Sequence, residues 1–243
     1  MDNISLYEPL AAAYVRGHSL RTGKPGLPDS WKRGPLAELE EDAIQDILKA
    51  GKEQNLKLYR FKTTHRDMPR IKRVTGFLKG VSFESLLDVG SGRGVFLFPF
   101  LTEFPWVEVT ALDILPHRVE FLQDIEAGGM ERLTTIRADI CAQPLPEKSV
   151  DVVTMLEVLE HIPDVGVAVR AAVKTARRFV VVTVPSKEDN NPEHIHLLTK
   201  EKLTQLFAAA GCKRLHFDGV NGHLMAVANL QDRQRGGGDA DGT

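Results

Sequence analysis

Short apolar runs alternate with stretches of helical periodicity over the chain from residue 83 onward. The runs are rich in Val, Ile and Leu and apolar at nearly every position, which is typical of parallel strands buried on both faces. This pattern predicts strands at 85–89, 107–113, 133–139, 150–155 and 179–185, with helices between them at 94–104, 116–127 and 164–177. Pro99 lies inside the first of these helices, and we expect it to kink that helix or end it early.

The C-terminal part of the chain predicts one more helix and a hairpin. Thr199 is a capping residue at the start of a helix at 199–211, and Gly211 lies where a glycine stop belongs. Two further apolar runs, at 215–220 and 223–230, are joined by an Asn-Gly pair that suits the tight turn of an antiparallel hairpin. The sequence therefore predicts an α/β domain with a doubly wound, mainly parallel sheet that ends in an antiparallel hairpin.

The first 80 residues lack this alternation. Turn-forming glycines and prolines mark residues 1–35, so we predict an arm or irregular cap with no fold of its own. Apolar residues recur at helical spacing from 36 to 54, which predicts an amphipathic helix packed on the main domain. The predicted organisation is an N-terminal arm and helical cap or lid at 1–80, the main domain at 81–231, and a flexible tail at 232–243.

Composition narrows the class of protein. The chain has 243 residues, 42% hydrophobic and 26% charged, which is enough for one folded α/β domain with additional elements at its ends. Its formal net charge of -2 gives no overall attraction to nucleic acid or to anionic membranes, so such a partner would need a local patch. We find neither a signal-peptide pattern nor a membrane-length apolar run, and the two cysteines form no disulfide framework. We expect a cytoplasmic protein, and the oligomeric state stays open.

A glycine turn follows the first predicted strand. The segment from Leu86 to Gly94 ends in Gly90, Ser91, Gly92, Arg93 and Gly94, just before the first predicted helix of the sheet. Glycines allow a sharp turn and let a ligand lie against the backbone. Taken alone, the turn is equally typical of a purely structural turn between a strand and a helix or of a dinucleotide site.

Acidic residues at the ends of neighbouring strands favour a nucleoside ligand. Asp113 comes 19 residues after Gly94 and ends the second predicted strand, where a carboxylate can accept hydrogen bonds from both ribose hydroxyls. Asp139 ends the third strand and is followed by Ile140. Strand ends meet at the edge where open α/β sheets bind ligands, although any single aspartate there can be a cap or turn residue.

With these motifs the sequence resembles the class I S-adenosylmethionine-dependent methyltransferases over residues 80 to 230. The resemblance implies a Rossmann-like, seven-stranded sheet and S-adenosylmethionine as cofactor. It also implies that Gly90 and Gly92 approach the methionine part and ribose, that Asp113 binds the ribose hydroxyls, and that Glu157 lies near the cofactor's edge. Further residues assigned by the resemblance are Ile114 and Ile140 around the adenine, Asp139 at its amino group, and Asp88 and Gly94 in the turn. The third glycine comes one residue earlier than in dinucleotide-binding proteins, which leaves NAD as the second choice.

A second group of polar residues follows the fourth strand. Glu157, Glu160 and His161 have the spacing of one helical face, and His194 should emerge at the same edge of the sheet. Two carboxylates and imidazoles can hold a divalent metal, with manganese favoured over magnesium by the nitrogen ligands. The alternative is a metal-free site in which His161 makes a hydrogen bond at a helix start and His194 shapes the acceptor pocket or acts as a base.

The same residues resemble two narrower families. One is the quinone-biosynthesis O-methyltransferases, and the other is the 3′-terminal ribose 2′-O-methyltransferases of small RNAs. The resemblance to the RNA family implies a metal with the ligands Glu157, Glu160, His161 and His194. The aromatic and arginine-rich stretch that follows in the RNA family is replaced here by Ile195, His196, Leu197 and Leu198. We therefore predict O-methylation of a small-molecule acceptor, with RNA as the alternative, and with catalytic candidates His194, His161 and Glu160. A non-catalytic, cofactor-binding regulatory module is the alternative of another class.

A basic segment precedes the main domain. Between residues 57 and 73 seven cationic side chains accompany a single acid, Asp67. Such a run can follow a phosphate backbone or an acidic substrate, can form a lid, or can be a solvated helix face. We expect it to serve acceptor entry rather than cofactor binding, because it lies before the first cofactor strand.

Overall fold

A computed structural model describes residues 5–143, 145–188 and 190–231. Within these ranges the chain forms one seven-stranded sheet in the order β3-β2-β1-β4-β5-β7-β6. The strands are β1 (Ser85–Val89), β2 (Glu108–Asp113), β3 (Leu133–Arg137), β4 (Val150–Leu156), β5 (Ala176–Pro185), β6 (Leu215–Val220) and β7 (His223–Asn229). Strands β1 to β5 pair in parallel, and β7 pairs antiparallel with both β5 and β6.

Helices cover the sheet on both faces. They are α1 (Glu8–Thr22), α2 (Asp29–Lys32), α3 (Glu41–Glu53), α4 (Pro69–Lys79), α5 (Leu97–Glu103), α6 (Pro116–Ala127), α7 (Val165–Thr175) and α8 (Lys200–Ala209). Alternate residues of one strand enter different cores: Leu86 packs with the N-terminal helices, α5 and α6, whereas Leu87 packs with α7 and α8. The doubly wound sheet with a C-terminal antiparallel hairpin is thus confirmed.

The N-terminal arm is more ordered than its sequence predicts. Residues 8–22 form α1, and Leu10, Ala12 and Val15 are fully buried or nearly so. A Cβ on Gly17 would collide with the backbone carbonyl of Asp124 in α6, and one on Gly128 would collide with the carbonyl of Ala13, so the two helices pack backbone to backbone. The prediction of an arm without a fold of its own is therefore wrong for this stretch.

Smaller differences concern element ends. The predicted helix at 36–54 is a 3-10 turn (Leu36–Glu38) followed by α3, and α5 begins three residues later than predicted. Pro99 lies in the first turn of α5, where a missing backbone N–H costs nothing, so it neither kinks nor shortens the helix. The predicted flexible tail at 232–243 lies outside the described residues, which end at Gln231. Among the described residues we find no helix that is both long and apolar enough to cross a membrane.

Candidate active site

The glycine turn between β1 and α5 has the backbone conformation that its residues predict. Gly90, Gly92 and Gly94 have φ values of 70°, 58° and 80°, in the left-handed region that strongly favours glycine. A Cβ on Gly90 would lie 2.5 Å from a methyl carbon of Val158, and one on Gly94 would collide with the ring of Phe98. Backbone conformation and close packing together therefore require glycine at both positions.

Asp88 supports this turn from inside. Its side chain accepts a hydrogen bond from the Thr154 hydroxyl on β4 at 2.7 Å, while the Ser91 hydroxyl donates to its backbone carbonyl at 2.9 Å. Burial raises the pKa of the Asp88 carboxyl to about 6, although the hydrogen bond from Thr154 acts in the opposite direction. Asp88 thus links β1 to β4 through its carboxyl and to the turn through its backbone carbonyl, in a buried environment.

Asp113 is fixed at the carboxyl end of β2. One carboxylate oxygen accepts from the backbone N–H of Gly92 at 2.9 Å, and the other accepts from that of Leu115 at 2.9 Å. The guanidinium of Arg118 lies 3.7 Å away. A carboxylate has about four lone-pair sites, so these two bonds leave capacity for ligand hydroxyls.

These residues line one cleft of about 900 Å³ at the carboxyl ends of the parallel strands. Ile114 lies on its wall and is 57% exposed, and Ile140 and Asp139 face the same space. Asp139 accepts from the Cys141 N–H at 2.8 Å. The sequence assigns nine residues to the cofactor, and Gly94 is the one of them that does not line the cleft. The other eight do: Asp88, Gly90, Gly92, Asp113, Ile114, Asp139, Ile140 and Glu157.

Glu157 lies at the end of β4 in a left-handed conformation, with φ of 58°. Its carboxylate accepts from the Thr183 hydroxyl at 2.8 Å and lies 3.0 Å from Nε2 of His223, the first residue of β7. The helical face expected for 157, 160 and 161 is wrong, because the helical turn begins only at Leu159. Glu157 is consequently held by β5 and β7 rather than by its neighbours in sequence.

Glu160, His161 and His194 do come together. One ligand atom from each lies within 4.8 Å of the others, and the group does not include Glu157. Glu160 is fully buried, and His161 lines the cleft. The His161 and His194 rings meet edge to face with centroids 4.8 Å apart, and His161 Nδ1 lies 3.0 Å from the carbonyl oxygen of Glu193.

The basic segment does not act as one surface. Arg70 lines the cleft, whereas Arg73 forms an ion pair with Asp218 on β6 at 3.0 Å and Lys72 forms one with Asp67 at 3.0 Å. Arg60 stacks on the Phe121 ring, with 4.8 Å between its Cζ and the ring centroid. The segment thus divides into cleft-facing and structural side chains.

Sequence reasoning missed two residues of the site. His223 reaches Glu157 from the hairpin, and Arg118 faces the cleft from α6. His223 has no motif around it, because its role depends on the pairing of β7 with β5. For Arg118, the signal was its position five residues after Asp113, in the first turn of the following helix.

Comparisons with known proteins agree with this geometry. Residues 87–179 match the family described as Methyltransferase domain. The ubiquinone biosynthesis O-methyltransferase of Pseudomonas fluorescens is 33% identical over 100 residues, which are 40% of this chain and 42% of that protein. The chain therefore spans about two fifths of the length of the curated relatives it matches first.

Solved structures match the fold. A SAM dependent methyltransferase from Aquifex aeolicus aligns with a TM-score of 0.56 and 18% identity, over 74% of this chain and 98% of that one. The methyltransferase domain of bacterial-CtHen1-CN aligns with a TM-score of 0.56 and 18% identity, over 67% and 98%. Together with the glycine turn, Asp113 and the seven-stranded sheet, these matches show that residues 87–179 are similar to a methyltransferase domain and that the chain has the fold of the class I S-adenosylmethionine-dependent methyltransferases.

Proposed function

We propose that the protein transfers a methyl group from S-adenosylmethionine to an oxygen of a small-molecule acceptor. The observation that carries the proposal is the single cleft in which the glycine turn, Asp113 and His161 face the same space. The names of the curated relatives, ubiquinone biosynthesis O-methyltransferases, support an oxygen acceptor on a small molecule.

The residues of the cleft suit this cofactor. Gly90 and Gly92 bring the backbone of the turn to the wall of the cleft, and the doubly anchored Asp113 has capacity for two ribose hydroxyls. The exposed Ile114 offers an apolar wall for a flat base. A cleft of about 900 Å³ is of a size that holds a cofactor and a small acceptor together.

The protein's contribution to methyl transfer is alignment and removal of a proton. S-adenosylmethionine supplies a methyl group on a sulfonium, which suits in-line displacement by an oxygen nucleophile. Glu157, held by Thr183 and His223, lies where β4 ends and bounds the cleft. His161 faces the cleft and is the residue best placed to take the proton from an acceptor hydroxyl.

The structure changes the proposed role of His194. The sequence offers His194 as a metal ligand or as the base, but His161 lines the cleft, and His194 meets the His161 ring from the side. We therefore propose His161 as the base and His194 as a positioning residue for its ring. Glu160, buried beside both histidines, completes this support.

A test is S-adenosylhomocysteine release with a panel of catechols and phenols, with NAD-dependent turnover as the control reaction. We expect methyl transfer to at least one catechol or phenol, and transfer of label from methyl-labelled cofactor into that product. Cofactor binding without transfer to any acceptor class, RNA included, would favour the non-catalytic regulatory module instead.

A metal-dependent reaction on an RNA ribose is the second candidate, and the grouping of Glu160, His161 and His194 supports it. These three side chains would hold the ion, with manganese preferred over magnesium because two ligands are imidazoles, and the ion would polarise vicinal hydroxyls. Activity that is lost on chelation and restored by Mn²⁺ would establish this candidate. Activity indifferent to chelation would leave His161 as a metal-free base.

We also propose that the protein works in a reducing compartment, the cytoplasm. Cys141 and Cys212 are both free thiols, and Cys212 is buried. Free thiols without disulfides are typical of reducing compartments. To check this, cells would be lysed directly into denaturant that contains an alkylating agent and no reductant. Mass spectrometry should then find both thiols labelled.

A further inference from the structure

A second, smaller pocket of about 290 Å³ adjoins the cofactor cleft. It is lined by Arg60, Gly92, Arg93, His117, Arg118 and Phe121. Three of these residues, Gly92, Arg93 and Arg118, also line the main cleft, so the two spaces share a wall. The lining contains three arginines and an imidazole but no carboxylate.

Little in the described part of the chain neutralises these charges. The side chains of Arg93 and His117 form no hydrogen bond or ion pair with any described residue. Arg60 Nε is buried without a hydrogen-bond partner there, and its guanidinium is stacked on Phe121. Arg118 has only the long 3.7 Å approach to Asp113, whose oxygens already accept from two backbone amides.

The location of the pocket makes this concentration of positive charge costly. α6 begins at Pro116, and His117 and Arg118 lie in its first turn, where there is no acidic residue. The amino end of a helix carries partial positive charge and favours anions, so cations at this end are unfavourable until an anion binds. The charge of Arg93 also reaches His65, whose pKa is lowered first by burial and then by Lys62, Arg70 and Arg93.

We propose that this pocket binds a phosphate group. Guanidinium groups match phosphate oxygens in paired hydrogen bonds, and converging arginines suit a dianion better than a single carboxylate. The ligand is either free inorganic phosphate or a phosphate ester whose organic part extends into the main cleft through the shared wall. The proposal does not rest on methyl transfer, because binding can be measured on the resting protein.

The test is ³¹P line broadening on titration with inorganic phosphate and, separately, with phenyl phosphate, at constant ionic strength. We expect saturable binding. Phenyl phosphate binding more tightly than inorganic phosphate identifies an ester as the ligand, and equal binding identifies free phosphate. Constant ionic strength matters because weak, nonspecific attraction to surface arginines is screened by salt.

Variants decide whether the pocket is responsible. Arg93→Gln and Arg118→Gln should each weaken phosphate binding by about tenfold, the usual effect of losing one charged hydrogen-bonding partner. Arg33→Gln, which removes an exposed arginine outside the pocket, should leave it unchanged. The Arg93 side chain is exposed and has no hydrogen bond or ion pair with a described residue to lose, so its variant should fold, which circular dichroism checks. Absence of saturable binding, or wild-type binding by the Arg93→Gln/Arg118→Gln double variant, would overturn the proposal, and neither outcome depends on methyltransferase activity.

Discussion

Burial of Asp88 makes the stability of the protein depend on pH. Its folded-state pKa of about 6 lies above the ordinary value of 3.8, so the folded state holds the proton more tightly than the unfolded state. This contribution is fully present below about pH 4 and is lost as the pH rises through about 6. Ionisation of this one carboxyl should remove on the order of 2–3 kcal/mol of stability by neutral pH.

The variant Asp88→Asn isolates this effect. Its amide oxygen can still accept from Thr154, but the residue carries no charge. In urea unfolding, the stability of Asp88→Asn relative to wild type should therefore rise between pH 5 and pH 7.5. A difference between the two proteins that is the same at both pH values would show that Asp88 does not titrate in this range.

His161 and His194 have separable roles. His161→Ala should lower kcat by about 100-fold to 10,000-fold, the range for loss of a general base, without changing S-adenosylhomocysteine affinity. His194→Ala should have a smaller effect on kcat and likewise leave S-adenosylhomocysteine affinity unchanged. Full activity of His161→Ala, with loss of activity in His194→Ala, would assign the role of base to His194 instead.

At the site, strand-end motifs were predictable and long-range partners were not. Asp113 and Asp139 follow from strand order alone, because the carboxyl ends of parallel strands share one edge. The partners of Glu157 come from β5 and β7, and its left-handed backbone turns the side chain away from Glu160 and His161. No spacing rule within residues 157–161 contains that information.

Among the elements, α1 shows why the N-terminal prediction failed. Periodicity detects a helix by an apolar stripe against a polar face, but α1 buries small and polar residues together, including Ala12, Gly17 and Ser19. What holds α1 is its close approach to α6, which depends on Gly17 and Gly128. A contact between distant segments of this kind is invisible to a local pattern.

The close packing of α1 on α6 predicts how much stability is lost when one methyl group is added at Gly17. Gly17→Ala would place a Cβ against the backbone of α6, so the helices must separate, and we expect a loss of about 1–3 kcal/mol as in other overpacked sites. Gly76→Ala is the matched control, because it lies within α4 and its Cβ would meet nothing within 4 Å. The free energy of unfolding of Gly76→Ala should instead rise by about 0.5–1 kcal/mol, because alanine has a higher helix propensity than glycine. Equal effects of the two variants in urea unfolding would contradict the close packing of α1 on α6.

At the scale of the whole molecule, the ligand should stabilise the fold. The cleft is built from β1, β2, β4 and the segments that follow them, so binding there favours the folded state by mass action. A hundredfold excess of S-adenosylhomocysteine over its Kd should add about 2.7 kcal/mol to the free energy of unfolding and raise Tm. NAD at the same concentration should leave Tm unchanged, and a larger shift with NAD would favour a dinucleotide site.

The most direct test of the account is calorimetric titration of S-adenosylhomocysteine into wild-type protein, Asp113→Ala and Asp42→Ala. Asp113 lines the cleft, whereas Asp42 is an exposed acid on α3 outside it. We expect binding to the wild type, a loss of about 1–3 kcal/mol in Asp113→Ala from unpaired ribose hydroxyls, and no change in Asp42→Ala. Absence of binding to the wild type, or unchanged affinity in a folded Asp113→Ala, would contradict the assignment of this cleft to S-adenosylmethionine.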